Sequence, residues 1–255
     1  MKREIVDVHI HVNAALKERA LPQLIEDLEE DGVAAGVLIV NTKEQMDIVR
    51  SQERILLENR NRLKIVSGIN IHNKNPYAIY EYFYSKGLYP GIKIHPKLFD
   101  YKVKDFSRIE ESIARVDCDI IVVDTLYFGE QIDNHIGIEL GIFLAKAFPE
   151  KTIVLAHSGS IKLLECQMYT RNLPNVYYDL SFTASYLNHT SIRMDMINFL
   201  KYTSGRIMYG SDYPDFAFGR AFSSMLELCE DARLTEEQVR NVFSDNAKRI
   251  YGINI

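Results

Sequence analysis

The chain has 255 residues, 47% apolar and 25% charged, and 30 Lys+Arg against 35 Asp+Glu set a formal net charge of −5. That length supports one substantial core, and the mild negative balance argues against nucleic acid or an anionic membrane as the main partner. Lys2, Arg3, Glu4 and Asp7 interrupt the opening stretch, no apolar run reaches 18 residues, and Cys118, Cys166 and Cys229 form no CxxC, so the expectation is a cytoplasmic protein without signal peptide, membrane span, disulfide framework or thiolate zinc finger.

In chain order, short β-branched apolar runs alternate with longer amphipathic stretches. Strand Glu4–Ile10 leads to helix Leu21–Glu30, strand Ala35–Asn41 to Glu44–Asn59, and strand Leu63–Ile71 to Pro76–Lys86. Strand Gly91–His95 leads to Ser107–Ala114, Asp119–Asp124 to Ile136–Phe148, and Thr152–His157 to Ser160–Met168. Strand Asn175–Leu180 leads to Arg193–Tyr202, and Arg206–Gly210 to Ala221–Cys229. A last helix, Glu236–Tyr251, opens on Thr235-Glu-Glu-Gln238, which has the form of a capping box. Eight strand–helix units of about 32 residues each predict an α/β fold, a (β/α)8 TIM barrel. The expectation is a single domain over residues 1–255 with an extra C-terminal helix. A doubly wound sheet is the rival, but the chain contains neither GxGxxG nor GxxxxGK[ST], and no linker divides it.

Strict alternation in the first strand puts Ile5, Asp7, His9 and His11 on one face and Val6, Val8, Ile10 and Val12 on the other, the second expected to pack on helices. In the fourth strand Lys93 and His95 share a face. The other strands also end on polar residues, among them Asn41, Asn70, Asp124, His157, Asp179, Ser181 and Asp212. A barrel carries its reactive groups at that C-terminal end. His9-x-His11 places two imidazoles on one side of a strand, where both can bind one ion, with Asp7 as a hydrogen-bond acceptor behind the rings. Imidazoles joined by a carboxylate suit Zn²⁺ or Mn²⁺.

Four segments carry a resemblance: Asp7-Val-His9-Ile-His11, Gly91-Ile-Lys93-Ile-His95-Pro96, Val154-Leu-Ala-His157-Ser-Gly159 and Tyr209-Gly-Ser-Asp212-Tyr-Pro214. With Asn175-Val-Tyr-Tyr-Asp179-Leu-Ser181 and Asn246-Ala-Lys-Arg-Ile-Tyr251, they make the chain resemble the amidohydrolase superfamily, more closely its amidohydrolase-2 branch of lactone and ester hydrolases and nonoxidative decarboxylases. The resemblance implies that His9 and His11 bind one divalent metal ion and that Asp212 is a further ligand and proton acceptor. His157 is then either a ligand or the histidine that polarises substrate or delivers a proton. Lys93 and His95 are expected to orient substrate or ligands, with Lys93 unmodified rather than carboxylated. The departure is at the fifth strand, where Asp124 stands in place of the family's usual metal-binding histidine. A carboxylate there is either a substitute ligand or a partner for Lys93.

The function expected from this resemblance is metal-dependent hydrolysis of an amide, ester or lactone in a small-molecule substrate. The alternatives are a nonoxidative decarboxylase of the same family and, from another class, a non-catalytic ligand-binding barrel, which Asp124 supports. Neither nucleic acid nor a membrane is expected as a partner, and a homodimer is compatible with the reading.

Overall fold

The computed structural model describes residues 4–130 and 132–255; Lys2 and Arg3, used above against a signal peptide, lie outside the described residues. Eight strands follow the chain: β1 (Ile5–Ile10), β2 (Val33–Val40), β3 (Leu63–Gly68), β4 (Gly91–Ile94), β5 (Ile120–Asp124), β6 (Thr152–Ala156), β7 (Val176–Asp179) and β8 (Ile207–Met208). They form one sheet in sequential order, every neighbouring pair parallel. The chain leaving β8 returns to β1: Val8 N–H donates to the Tyr209 carbonyl at 2.9 Å, and Ile10 bridges Tyr213 in parallel. The result is a nearly closed (β/α)8 barrel, with helices against its outer face.

Alternation sorts the strand residues into two apolar layers. Ile121, Val123, Leu155 and Ile92 pack outward among the helices, whereas Val37, Ile39, Val66, Val122, Val154 and Met208 fill the barrel. β1 departs from the alternation expected of it. Val6 and Val8 point into the barrel rather than at the helices, while Ile5 and Ile10 join the outer layer. Two register irregularities in the β1–β2 ladder, at Ile5/Val6 and between Asp7 and Ile10, shift the phase.

The expected final helix runs as Glu236–Arg240, a π turn at Asn241–Asp245, and Asn246–Tyr251, and its Thr235–Gln238 capping box is present. It closes the N-terminal floor of the barrel. Ala247, Tyr251 and Ile253 join the interior layer, and Asn246 Nδ2 donates to the carbonyls of Ser204 and Ile207 at 2.9 and 2.8 Å. With the floor sealed, the barrel opens at the opposite, C-terminal end of the strands.

Two expected helices are broken. Glu44–Asn59 divides into Lys43–Ser51 and Glu53–Glu58, because Gln52 turns its amide inward, accepting from Leu21 N–H and donating to the carbonyls of Lys17 and Ile48. Ser160–Met168 starts late, at Leu163, since His157, Ser158, Gly159 and Ser160 all have positive φ.

Candidate functional site

At the mouth, β1 delivers His9 and, just beyond its end, His11. Their ring tautomers follow from their partners. His11 Nδ1 lies 3.1 Å from the Ile39 carbonyl, which only accepts, so Nδ1 carries the proton and Nε2 a free lone pair. His9 Nδ1 lies 3.1 Å from Asp179 Oδ2, a carboxylate that likewise accepts, so the lone pair is again on Nε2, where it accepts from Lys93 Nζ at 3.1 Å. Both Nε2 atoms converge on Asp212 Oδ1, at 3.6 Å for His9 and 3.7 Å for His11.

Asp212 reaches this point through a constrained backbone. Its φ is +65°, sparsely populated for a non-glycine residue, and its N–H donates to the His9 carbonyl at 2.9 Å. Gly210 makes the approach sterically feasible, since a Cβ there would fall 2.9 Å from His9 Cβ and 3.0 Å from Ser181 Cβ. Burial alone would raise the Asp212 pKa, but His9, His157, His11 and Lys93 outweigh it and hold the carboxyl below its usual value. Burial also pushes the His11 pKa down to about 3, with His9 and Lys93 acting in the same direction, so the ring is neutral. Two neutral nitrogen donors and one carboxylate oxygen, all within 4.8 Å of one another, form a donor set that fits a divalent metal ion.

A second grouping, His9, His157 and Asp179, is equally compact but is already committed to hydrogen bonds. Asp179 Oδ1 accepts from the backbone N–H groups of His157 and Ser181, at 2.9 and 3.1 Å, and Oδ2 faces His9. His157 Nδ1 lies 3.0 Å from the Ser181 carbonyl, and its Nε2 lies 3.2 Å from Asp124 Oδ2. Two acceptors, one at each nitrogen, describe an imidazolium. Burial works against that charge, but Asp124, with Asp212 and Asp179 behind it, raises the pKa to about 9. A ring with both nitrogens protonated has no lone pair for a metal.

Asp124 faces the mouth and meets a cluster of bases: its Oδ2 lies 3.3 Å from Lys93 Nζ, 3.4 Å from His95 Nε2 and 3.2 Å from His157 Nε2. Its pKa lies well below the ordinary carboxylate value; burial would raise it, but His95, Lys93 and His157 overcome that. Of the two roles expected for Asp124, the geometry brings it to Lys93, and it belongs to neither compact ligand grouping. Lys93, 1% exposed, also donates from Nζ to His9 Nε2 at 3.1 Å. His95 accepts from Leu98 N–H through Nδ1, leaving Nε2–H for Asp124. Asp7, expected as an acceptor behind the histidine rings, instead accepts from the backbone N–H groups of His9 and Ser211 and so ties β1 to the segment after β8.

Three contributors lay outside the expected site. Asp179 and Ser181 end β7 and fix the tautomers of His9 and His157, a link across 170 residues that strand-end polarity alone does not reveal. Phe182, with φ +58°, stands edge-on to His157 at 6.4 Å, stacks on Tyr186 at 4.9 Å and meets Phe216 at 5.5 Å, forming an apolar wall over the imidazolium.

Residues 134–253 match the family model described as Amidohydrolase, of the amidohydrolase-2 type. No curated protein matches the chain in sequence. Among solved structures, a probable 2-pyrone-4,6-dicarboxylic acid hydrolase from Acinetobacter baumannii is 13% identical with a TM-score of 0.66, covering 98% of this chain and 99% of its own. The 5-carboxyvanillate decarboxylase of Sphingomonas paucimobilis is 14% identical, TM-score 0.64, over 99% and 100%. An uncharacterized TIM-barrel protein from Bordetella bronchiseptica is 14% identical, TM-score 0.70, over 98% of each chain. At these identities the structures attest the shared barrel fold. The amidohydrolase match covers residues 134–253, a little under half of the chain, and lies in a barrel fold that runs along the whole of it.

Proposed function

We propose that the protein is a metal-dependent hydrolase acting on the amide, ester or lactone carbonyl of a small molecule. The observation that carries this reading is the convergence of two lone-pair-bearing Nε2 atoms, from His9 and His11, on Asp212 Oδ1. These three residues would hold one divalent ion, zinc or manganese. Such an ion supplies Lewis acidity and makes water acidic enough to attack near neutral pH. Asp212 takes the proton of the attacking water and returns it to the leaving group. The positive charge of His157 favours the oxyanion that develops on the carbonyl. Lys93 and His95 hold Asp124, and through it His157, in place, and orient the substrate's polar groups. Phe182 keeps bulk water from the imidazolium.

His9, His11, His157 and Asp212 lie together at the mouth with the three imidazoles oriented by hydrogen bonds, which supports an enzyme over a non-catalytic barrel. A second reaction, decarboxylation, is favoured by one observation: His157 has an acceptor at each ring nitrogen, an arrangement that suits an acid able to deliver a proton to carbon as CO₂ leaves. The reading takes a small molecule as partner, allows a homodimer, and assigns the protein to the cytoplasm, where three buried cysteines outside any disulfide are at home.

Turnover in ¹⁸O-labelled water, with a panel of lactones, esters and carboxylated aromatics, separates the two reactions. Hydrolysis places label in the new carboxylate, and Asp212→Asn should abolish nearly all of it while some metal remains bound. Release of CO₂ with no label in the organic product would replace hydrolysis by decarboxylation.

A further inference from the structure

Next to the histidine cluster a second cavity, about 600 Å³, opens over the C-terminal ends of β2, β3 and β4. Its walls are the immediate strand neighbours of the cluster. Asn41 lies two residues beyond Ile39, whose carbonyl holds His11 Nδ1. Gly68 is paired in register with Lys93, and a Cβ on Gly68 would fall 2.7 Å from Asn41 Cα, so only glycine lets β2 and β3 close up at this edge.

The lining is unusual in its chemistry. Asn41 is 7% exposed, and its Oδ1 is buried with no hydrogen-bond partner among the described residues. A buried acceptor left unpaired carries a standing penalty, which a ligand O–H or N–H that turns the carboxamide toward the cavity would remove. Asn70 uses its Oδ1 to accept from His72 N–H, which leaves its amide nitrogen without a hydrogen bond among the described residues. The Asn73 side chain and the Lys74 ammonium make no hydrogen bond or ion pair among the described residues. Lys43 shares the rim, paired with Asp47 at 2.5 Å, at the start of the helix Lys43–Ser51, whose N-terminal end is partly positive. No acidic residue lines the cavity among the described residues.

Carboxamides both donate and accept, which suits hydroxyl groups, whereas ammonium groups and a helix N-terminus suit negative charge. We propose that this cavity is a second subsite that binds a hydroxylated anionic arm of the substrate. Its hydroxyls meet Asn41, Asn70 and Asn73, and its carboxylate or other acidic group meets Lys74 and Lys43. That the ligand is the arm of a substrate rests on the hydrolase reading; that the cavity binds such a group does not.

D-gluconate serves as the probe, with D-glucitol as the uncharged polyol and hexanoate as the anion without hydroxyls, titrated calorimetrically into the full chain. Gluconate should bind saturably, and each control about tenfold or more weaker, the loss expected when one class of contact is missing. Asn41→Ala and Lys74→Ala should each weaken gluconate by about tenfold. Lys74 is exposed, so its variant remains informative if the Asn41 variant misfolds. The double variant His9→Ala/His11→Ala should bind gluconate as the native protein does. The proposal is overturned if gluconate binds no better than both controls, if the foldable cavity variants bind like native, or if only the double histidine variant loses binding. Should gluconate behave as expected while no lactone or ester is turned over, the hydrolase reading fails and the subsite stands.

Discussion

Asp124 Oδ2 holds Lys93, His95 and His157 together within 3.2–3.4 Å, in a pocket where Lys93 is almost wholly enclosed. Asp124→Asn keeps the shape but removes the charge, leaving a buried ammonium without its counter-ion. The expected loss is roughly 3–5 kcal/mol of folding stability, the range for breaking one side of a buried pair, read by denaturant unfolding. A change within half a kcal/mol would mean that Lys93 is satisfied by His9 alone. The same network sets a pH dependence. A histidine whose pKa rises on folding, here His157 to about 9, contributes stability that is complete below its unfolded value near 6.5 and is lost as pH climbs through the folded value. The melting temperature of metal-stripped protein should therefore fall between about pH 7 and 9, and His157→Gln should flatten that slope. An unchanged slope in the variant would place the titration elsewhere. These couplings mark the limit of reading single residues. His9, His11, Asp124, His157 and Asp212 were legible as polar ends of strands and as parts of motifs. That His157 is doubly hydrogen-bonded depends on Ser181 and Asp124, which only the closed barrel brings to it.

The elements show why some features were legible and others not. All eight strands lie where β-branched runs predict them, because a strand buried on both faces is apolar throughout. The facing of β1 was not legible, since register irregularities reverse it midway and place Val6 and Val8 inside. Helix breaks escaped for a related reason: Gln52 and the left-handed run His157–Ser160 answer to tertiary partners rather than to periodicity. The junction after β8 is the element on which the site most depends. Gly210→Ala would drive a methyl against the Cβ atoms of His9 and Ser181, at 2.9 and 3.0 Å. Overpacking of this kind costs about 1–3 kcal/mol, and because the shift moves His9 relative to Asp212, metal affinity should fall with it. A variant with native stability and native metal affinity would show that the β8 end relaxes freely.

For the molecule as a whole, the division of labour is that of a barrel with a sealed floor and a mouth that gathers the charged side chains. Ala247, Tyr251 and Ile253 fill the N-terminal end, while every charged group of the site enters from the C-terminal ends of the strands. Among the described residues no helix is long and apolar enough to cross a membrane. The architecture was legible from eight repeated units, and the placing of the candidate site residues at strand ends from the order of their motifs. The carboxylate that steadies His9 and the wall over His157 were not, because they come from β7 and the segment after it, far away in sequence. The central claim, that the barrel mouth is a metal site built on His9, His11 and Asp212, is tested most directly by elemental analysis of protein purified without added metal. The account predicts about one divalent ion per chain, zinc or manganese, in the native protein and its loss from a folded His9→Ala/His11→Ala variant; a native protein without metal, or a double variant that keeps its full complement, would contradict it.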